Sequence, residues 1–206
     1  MTGSTTGRFL VTTALEESWP TDSPVLFLGE WCRRFSRRER WVGMDAEVVP
    51  YHWDDRDRLD ADFVYITNCY ERLLVDLSTS LNDLHGVDRS LRFWRIVTGP
   101  WLGLLVQMAF DRWRMVEEAI GRADLSGTIL LDGLADSMTP SDMRDFERLY
   151  ITDEWNHHLY GRVLEEFGGV QIEHRDYTPV IGDNSPEAVA ETGSWRYGLL
   201  SKYSRL

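Results

Sequence analysis

Cysteine is nearly absent: Cys32 and Cys69 are the only two in 206 residues. They form neither a disulfide framework nor a CxxC pair, which excludes a stapled secreted scaffold and suits a reducing cytoplasm. Long hydrophobic runs are missing too. The longest, Trp101–Phe110, is too short to span a bilayer and contains Gln107. The polar start MTGSTTG has no apolar stretch of the kind found in a secretory signal. Basic charge is in deficit, with a formal net charge of −12, which argues against a general nucleic-acid binder. No GxGxxG follows a strand, and no P-loop, HExxH, GxSxG or zinc-ligand spacing occurs. No cofactor or metal is therefore expected.

What is present is patterned. A chain of this length makes one domain of ordinary size, with enough burial to need no staple. Short apolar runs at 8–13, 25–28, 46–50 and 128–131, separated by helical or irregular crossovers, predict a parallel sheet. A further strand is expected at 170–174. Ile66, Tyr70, Leu73, Leu77, Leu81 and Leu84 step by three and four, which predicts a helix from about Asp62 to His85, stopped by Gly86. A second long helical region, from about Asp88 to Arg122, should break at Gly99-Pro100. Thr139-Pro140 and Thr152 read as helix starts, and Trp31–Trp41 as a helix carrying arginines. The fold class is α/β: a Rossmann-like parallel sheet flanked by long helices.

Several of these strands run into acids: Glu16-Glu17, Glu30, Asp54-Asp55 and Asp132. Ligands of open parallel sheets bind beyond the carboxyl ends of the strands, so these carboxylates stand where a general base would. Glu30 is the preferred base, because Gly29 lets backbone approach a ligand closely. His85, an imidazole titrating near neutrality, is the alternative. Glu17, Asp54 and Asp55 are candidate substrate contacts. Arg89, Arg92, Trp94 and Arg95 crowd the start of the second helix with Trp101 beyond them, and suit an anionic or sugar-like ligand. They could equally lock two helices together. A second cluster, Arg33, Arg34, Arg37, Arg38 and Arg40, fits a phosphate-bearing molecule, an anionic membrane or an acidic partner, or a solvated face paired to nearby acids. Asn156, His157 and His158 are consecutive on a helix and fan out over different faces, so they do not share a metal. Asp55-Arg56-Asp57 and Asp60-Ala61-Asp62 match the short DxD pattern of metal-dependent transferases, a pattern frequent by chance.

Five ordered stretches, TTALEESW, VLFLGEWC, YHWDDRDRL, LNDLHGVDRSLRFWRIVTGPWL and DEWNHHLY, resemble the N-terminal region of a family of bacterial transferases. That family is linked to surface carbohydrate biosynthesis of the O-antigen or lipopolysaccharide type. The resemblance covers most of residues 8–168. It implies the acceptor-side half of a GT-B glycosyltransferase, whose second half would hold a nucleotide-sugar donor. The implied partners are that donor and a glycan or lipid-linked acceptor, which would bring a cytoplasmic protein to the inner face of the membrane. Residues 1–7 are expected to be a disordered start, 8–175 the acceptor-side domain, and 176–206 an irregular tail or linker toward a missing C-terminal domain. A non-catalytic carbohydrate- or partner-binding module is the alternative.

Overall fold

The structure, a computed structural model, describes residues 7–122, 125–135 and 139–178. Five strands form one sheet: β1 (Arg8–Val11), β2 (Val25–Phe27), β3 (Ala46–Val48), β4 (Leu125–Asp132) and β5 (Ile172–Asp176). Their order is β3-β2-β1-β4-β5 and every pair is parallel. This is the Rossmann-like α/β arrangement. The chain builds outward from β1 to β3, then returns to place β4 on the other side of β1. The crevice at that reversal, above the carboxyl ends of β1 and β4, is where such sheets bind ligands.

The expected helix over Trp31–Trp41 does not form as one piece. Tight single turns at Glu30–Cys32 and Phe35–Arg37 precede a four-residue α1 (Arg38–Trp41). The five arginines repel along a continuous helix; folded into turns, most of them reach carboxylates elsewhere. The next two crossovers hold α2 (Arg56–His85), α3 (Leu91–Val97), α4 (Gly99–Arg122), α5 (Met143–Leu149) and α6 (Asp153–Phe167). Asp55 caps α2 through the backbone N–H groups of Asp57 and Arg58, so one DxD aspartate is a cap. Gly86, at φ 61°, closes its other end. The break between α3 and α4 falls at Thr98, and Pro100 sits in the first turn of α4, where its missing N–H costs nothing. The α5 start differs from expectation: Asp142, not Thr139, caps it. Thr152 caps α6 as expected. No helix among the described residues is long and apolar enough to cross a membrane.

Two clusters hold the helices down. Leu10, Val25, Phe27 and Leu28 of the sheet region pack with Met115, Val116 and Ala119 of α4 and Tyr160 and Leu164 of α6. Met108, Phe146 and Trp155 join α4, α5 and α6, with Trp101 packed against them. Gly161 lets α6 settle on β4, since a Cβ there would lie 3.2 Å from both Leu130 methyl groups. The helix α2 stands apart. Thirty residues at 1.5 Å each make a rod of about 45 Å. Its base packs on α4, where Arg58 pairs with Glu118 at 2.6 Å, and its outer half packs on α3, where Glu71 meets Arg95. The expected stripe is accordingly displaced. Ile66, Leu74 and Ser78 are buried, whereas Leu73 and Leu84 are exposed, because the partner changes from α4 to α3 partway along.

Candidate active site at the carboxyl edge

The turn after β1 brings Thr12 and Thr13 under His157 of α6. The Leu131 N–H of β4 donates to His157 Nε2 at 3.0 Å, so that nitrogen is unprotonated. The proton sits on Nδ1, which faces the Thr12 and Thr13 hydroxyls at 3.3 and 3.4 Å. His157 thus bridges the ends of β1 and β4 at the strand-order reversal. Burial pushes its pKa down to about 4, which keeps it neutral and makes it a structural tie. Its neighbours make other contacts: Asn156 accepts from Arg112 at 3.0 Å, and His158 lines a small cavity that His157 also borders.

A second polar centre forms after β3. Tyr51 donates to Asp111 Oδ1 at 2.8 Å, and His52 Nε2 lies 3.0 Å from the same oxygen. Arg112 closes the other carboxylate oxygen at 2.6 Å. Asp62, the end of the second DxD, is buried and accepts from Trp53 Nε1 at 3.0 Å; His52 Nδ1 lies 3.9 Å away. Burial alone would raise the Asp111 pKa, but the His52 and Tyr51 hydrogen bonds and the Arg112 charge outweigh it and leave it lowered. Sequence reading missed this centre. The signal was there: Asp111 falls at a buried step between Met108 and Met115, where a charge is out of place.

Aromatic faces cover the same edge. Trp31 stacks parallel to Tyr160 and meets Tyr51 edge-on, while its Nε1 donates to the Thr12 carbonyl at 2.9 Å. The missing Cβ of Gly29 serves this ring rather than a ligand, because a Cβ there would lie 2.2 Å from Trp31.

The sequence-derived site residues separate into two groups. Glu30 stands at the rim, 75% exposed, with Arg33 bonded to both of its oxygens at 2.5 and 2.6 Å. Glu17, Asp54 and Asp55 are also exposed at this edge. Glu16 is held by Arg37 and Arg40 at 2.8 Å each, and its pKa is lowered by the Arg37 hydrogen bond and the two arginine charges. Arg34 bonds Asp153 at the start of α6. His85 ends α2, Arg89 is in the turn after it, and Arg92, Trp94 and Arg95 are on α3, which packs on the outer half of α2 away from the edge. There Trp94 is buried, with its Nε1 on Asn82 at 2.8 Å, so the helix-locking reading describes it. Trp101 packs edge-on against Phe146. The structure therefore does not bring Glu30 and His85 together.

The cavity beside His157, about 150 Å³, is lined by Asp132, Gly133, His158, Arg162 and His174, with Asp132 2.9 Å from His174. A larger groove of about 390 Å³ between α4 and α6 exposes Trp113 and Phe167 but gathers few polar groups. Among the described residues, no three His, Cys, Asp or Glu side chains form a metal-holding group.

Residues 8–201 match the profile described as LIC12162 family transferase. The chain belongs to that family. No curated protein and no solved structure matches it. The match spans all the strands and helices that form the carboxyl edge. For a member of this family, the edge offers a carboxylate, guanidinium groups and aromatic faces together. That set binds hydroxyl-rich or anionic groups.

Proposed function

We propose that the protein is a glycosyltransferase of surface-carbohydrate biosynthesis that binds its acceptor in the crevice at the carboxyl edge. The observation that supports this most is that Trp31, next to Glu30, meets Tyr51 edge-on, with Tyr51 and Arg112 sharing Asp111. Indole and phenol faces suit sugar rings, and the carboxylate and guanidinium suit their hydroxyls. In this reading Glu30 takes the proton of an acceptor hydroxyl. The freed oxygen bonds to the anomeric carbon of a nucleotide sugar, and the nucleoside diphosphate leaves with the electron pair of the broken bond. Arg33 steers the carboxylate until the acceptor arrives.

Release of nucleoside diphosphate from a panel of nucleotide sugars, with and without glycan or lipid-linked acceptors, tests the proposal. Acceptor-stimulated release should fall at least about 100-fold in Glu30→Gln with the fold unchanged. Full turnover in that variant would remove Glu30 as the base. A second reading, the binding module, draws on Glu16, Glu30 and Asp153 being occupied by arginines. Glycan binding without release from any donor would favour it.

A further inference from the structure

Most large apolar side chains that the described residues expose lie between Phe63 and Val97, on α2, α3 and the turn joining them. The outer end is the densest part. In α3 the single buried residue, Trp94, faces α2, while Phe93, Ile96 (69% exposed) and Val97 (57%) stay exposed. Leu84 (76%) is exposed at the end of α2. A seven-residue helix that is apolar on its outer as well as its inner side is unfinished in water.

The charge around this face is distinctive. Arg95 is taken by Glu71, with two bonds of 2.6 and 2.7 Å. Arg89 has no carboxylate partner among the described residues; its guanidinium lies over the Phe93 ring at 5.4 Å. No ion pair is formed by Arg92 among the described residues either, and both side chains are exposed. Asp88 adjoins Arg89 in the turn. Asp76 and Asp83 lie on a flank of α2 turned away from Glu71, Ser78 and Asn82, the side that carries α3. Free guanidinium groups bordering exposed Phe, Ile, Val and Leu are the pairing an anionic lipid surface takes: apolar groups enter the acyl boundary while arginines reach headgroup phosphates.

We infer that the α2–α3 tip is a membrane-docking element that seats on anionic phospholipid. The arm's length sets the geometry. α3 packs on the outer half of α2, with Arg95 on Glu71, so about 20 Å of α2 or more lies between it and the carboxyl edge, and docking holds the crevice off the bilayer rather than against it. The overall charge of −12 disfavours any broader contact with an anionic surface, which confines attachment to this point. The inference does not depend on the sugar chemistry proposed above.

Vesicle flotation tests it directly, using phosphatidylcholine alone and phosphatidylcholine mixed with phosphatidylglycerol. The protein should partition onto the mixed vesicles, less so as salt rises. Arg89→Glu with Arg92→Glu should weaken this by roughly tenfold or more, and Ile96→Asp with Val97→Asp should do the same at any salt. The two sites are exposed, and circular dichroism checks that the fold survives. Phe35→Asp with Arg38→Glu, an exposed cation and ring on the other arginine cluster, should leave partition unchanged. Equal partition onto both vesicle types, no partition at all, or tip variants that bind like the parent would overturn the inference. So would light scattering showing a dimer that Ile96→Asp with Val97→Asp dissolves, since a second copy would then be the occupant.

Discussion

Two arginine clusters of similar density meet opposite fates in this molecule. Along residues 33–40, Arg33, Arg34, Arg37 and Arg40 each reach a carboxylate, on Glu30, Asp153 or Glu16. Along residues 89–95, only Arg95 does among the described residues. The first cluster ties the loops of the carboxyl edge to one another and to the start of α6. The second leaves two cations facing outward beside apolar side chains. Clustered charge is therefore no guide to a ligand until the partners are known, and the partners come from distant parts of the chain: Arg34 and Asp153 are 119 positions apart.

The contrast can be tested by removing partners. The largest effect is expected at the buried extreme, where Arg112 shares Asp111 with His52 and Tyr51. Asp111→Ala removes the acceptor that all three share and should cost about 3 kcal/mol in chemical denaturation. A loss below about 1 kcal/mol would mean that the centre relaxes freely. Acid should come next. His157 is neutral in the fold down to about pH 4, while the unfolded chain protonates it near 6.5. A depressed pKa contributes stability that is fully present above the unfolded value and is lost as pH falls toward the folded one. Stability should therefore drop between about pH 6.5 and 4, by on the order of 3 kcal/mol. In His157→Gln that slope should flatten. An unchanged slope would assign the acid sensitivity to other groups.

Smaller effects should separate the two clusters themselves. Asp153→Asn weakens the contacts to Arg34 and to the Ala14 N–H, and should lower stability by about 1 kcal/mol. Arg92→Ala should leave the melting temperature where it was, because that side chain is exposed and forms no ion pair among the described residues. A clear loss in Arg92→Ala would show that the second cluster is internally paired like the first.

Much of the fold is legible in the residues. RFLV, VLF and the apolar run ending at Asp132 announce strands because continuous apolar stretches of that length need burial on both faces. Thr152, Gly86 and Gly168 mark helix ends by local hydrogen bonding and backbone geometry alone, whereas α2 starts at Arg56, six residues before the expected Asp62, because Asp55 caps it. The candidate site was less legible. Glu30, Glu17, Asp54 and Asp55 fall at the carboxyl edge as strand-end reasoning expects, but His85 and Arg92 do not, because nothing in their spacing states how long a rod α2 makes or where it points. Tyr51, His52, Asp111 and Asn156 went unread as a group, since their meeting depends on α4 and α6 crossing over the loop after β3.

The sequence by itself determined the α/β class, the strand-end acids, the break between α3 and α4, and a matching transferase profile. These follow from periodicity, caps and ordered motifs, which act over a few residues at a time. Only the tertiary structure decided which arginines are spent on internal carboxylates, that Gly29 makes room for Trp31, and that His157 ties β1 to β4. The pairing of Arg34 with Asp153 and of His157 with Thr12 each depends on side chains far apart in the chain arriving within a few ångströms, and that distance is set by how sheet and helices pack.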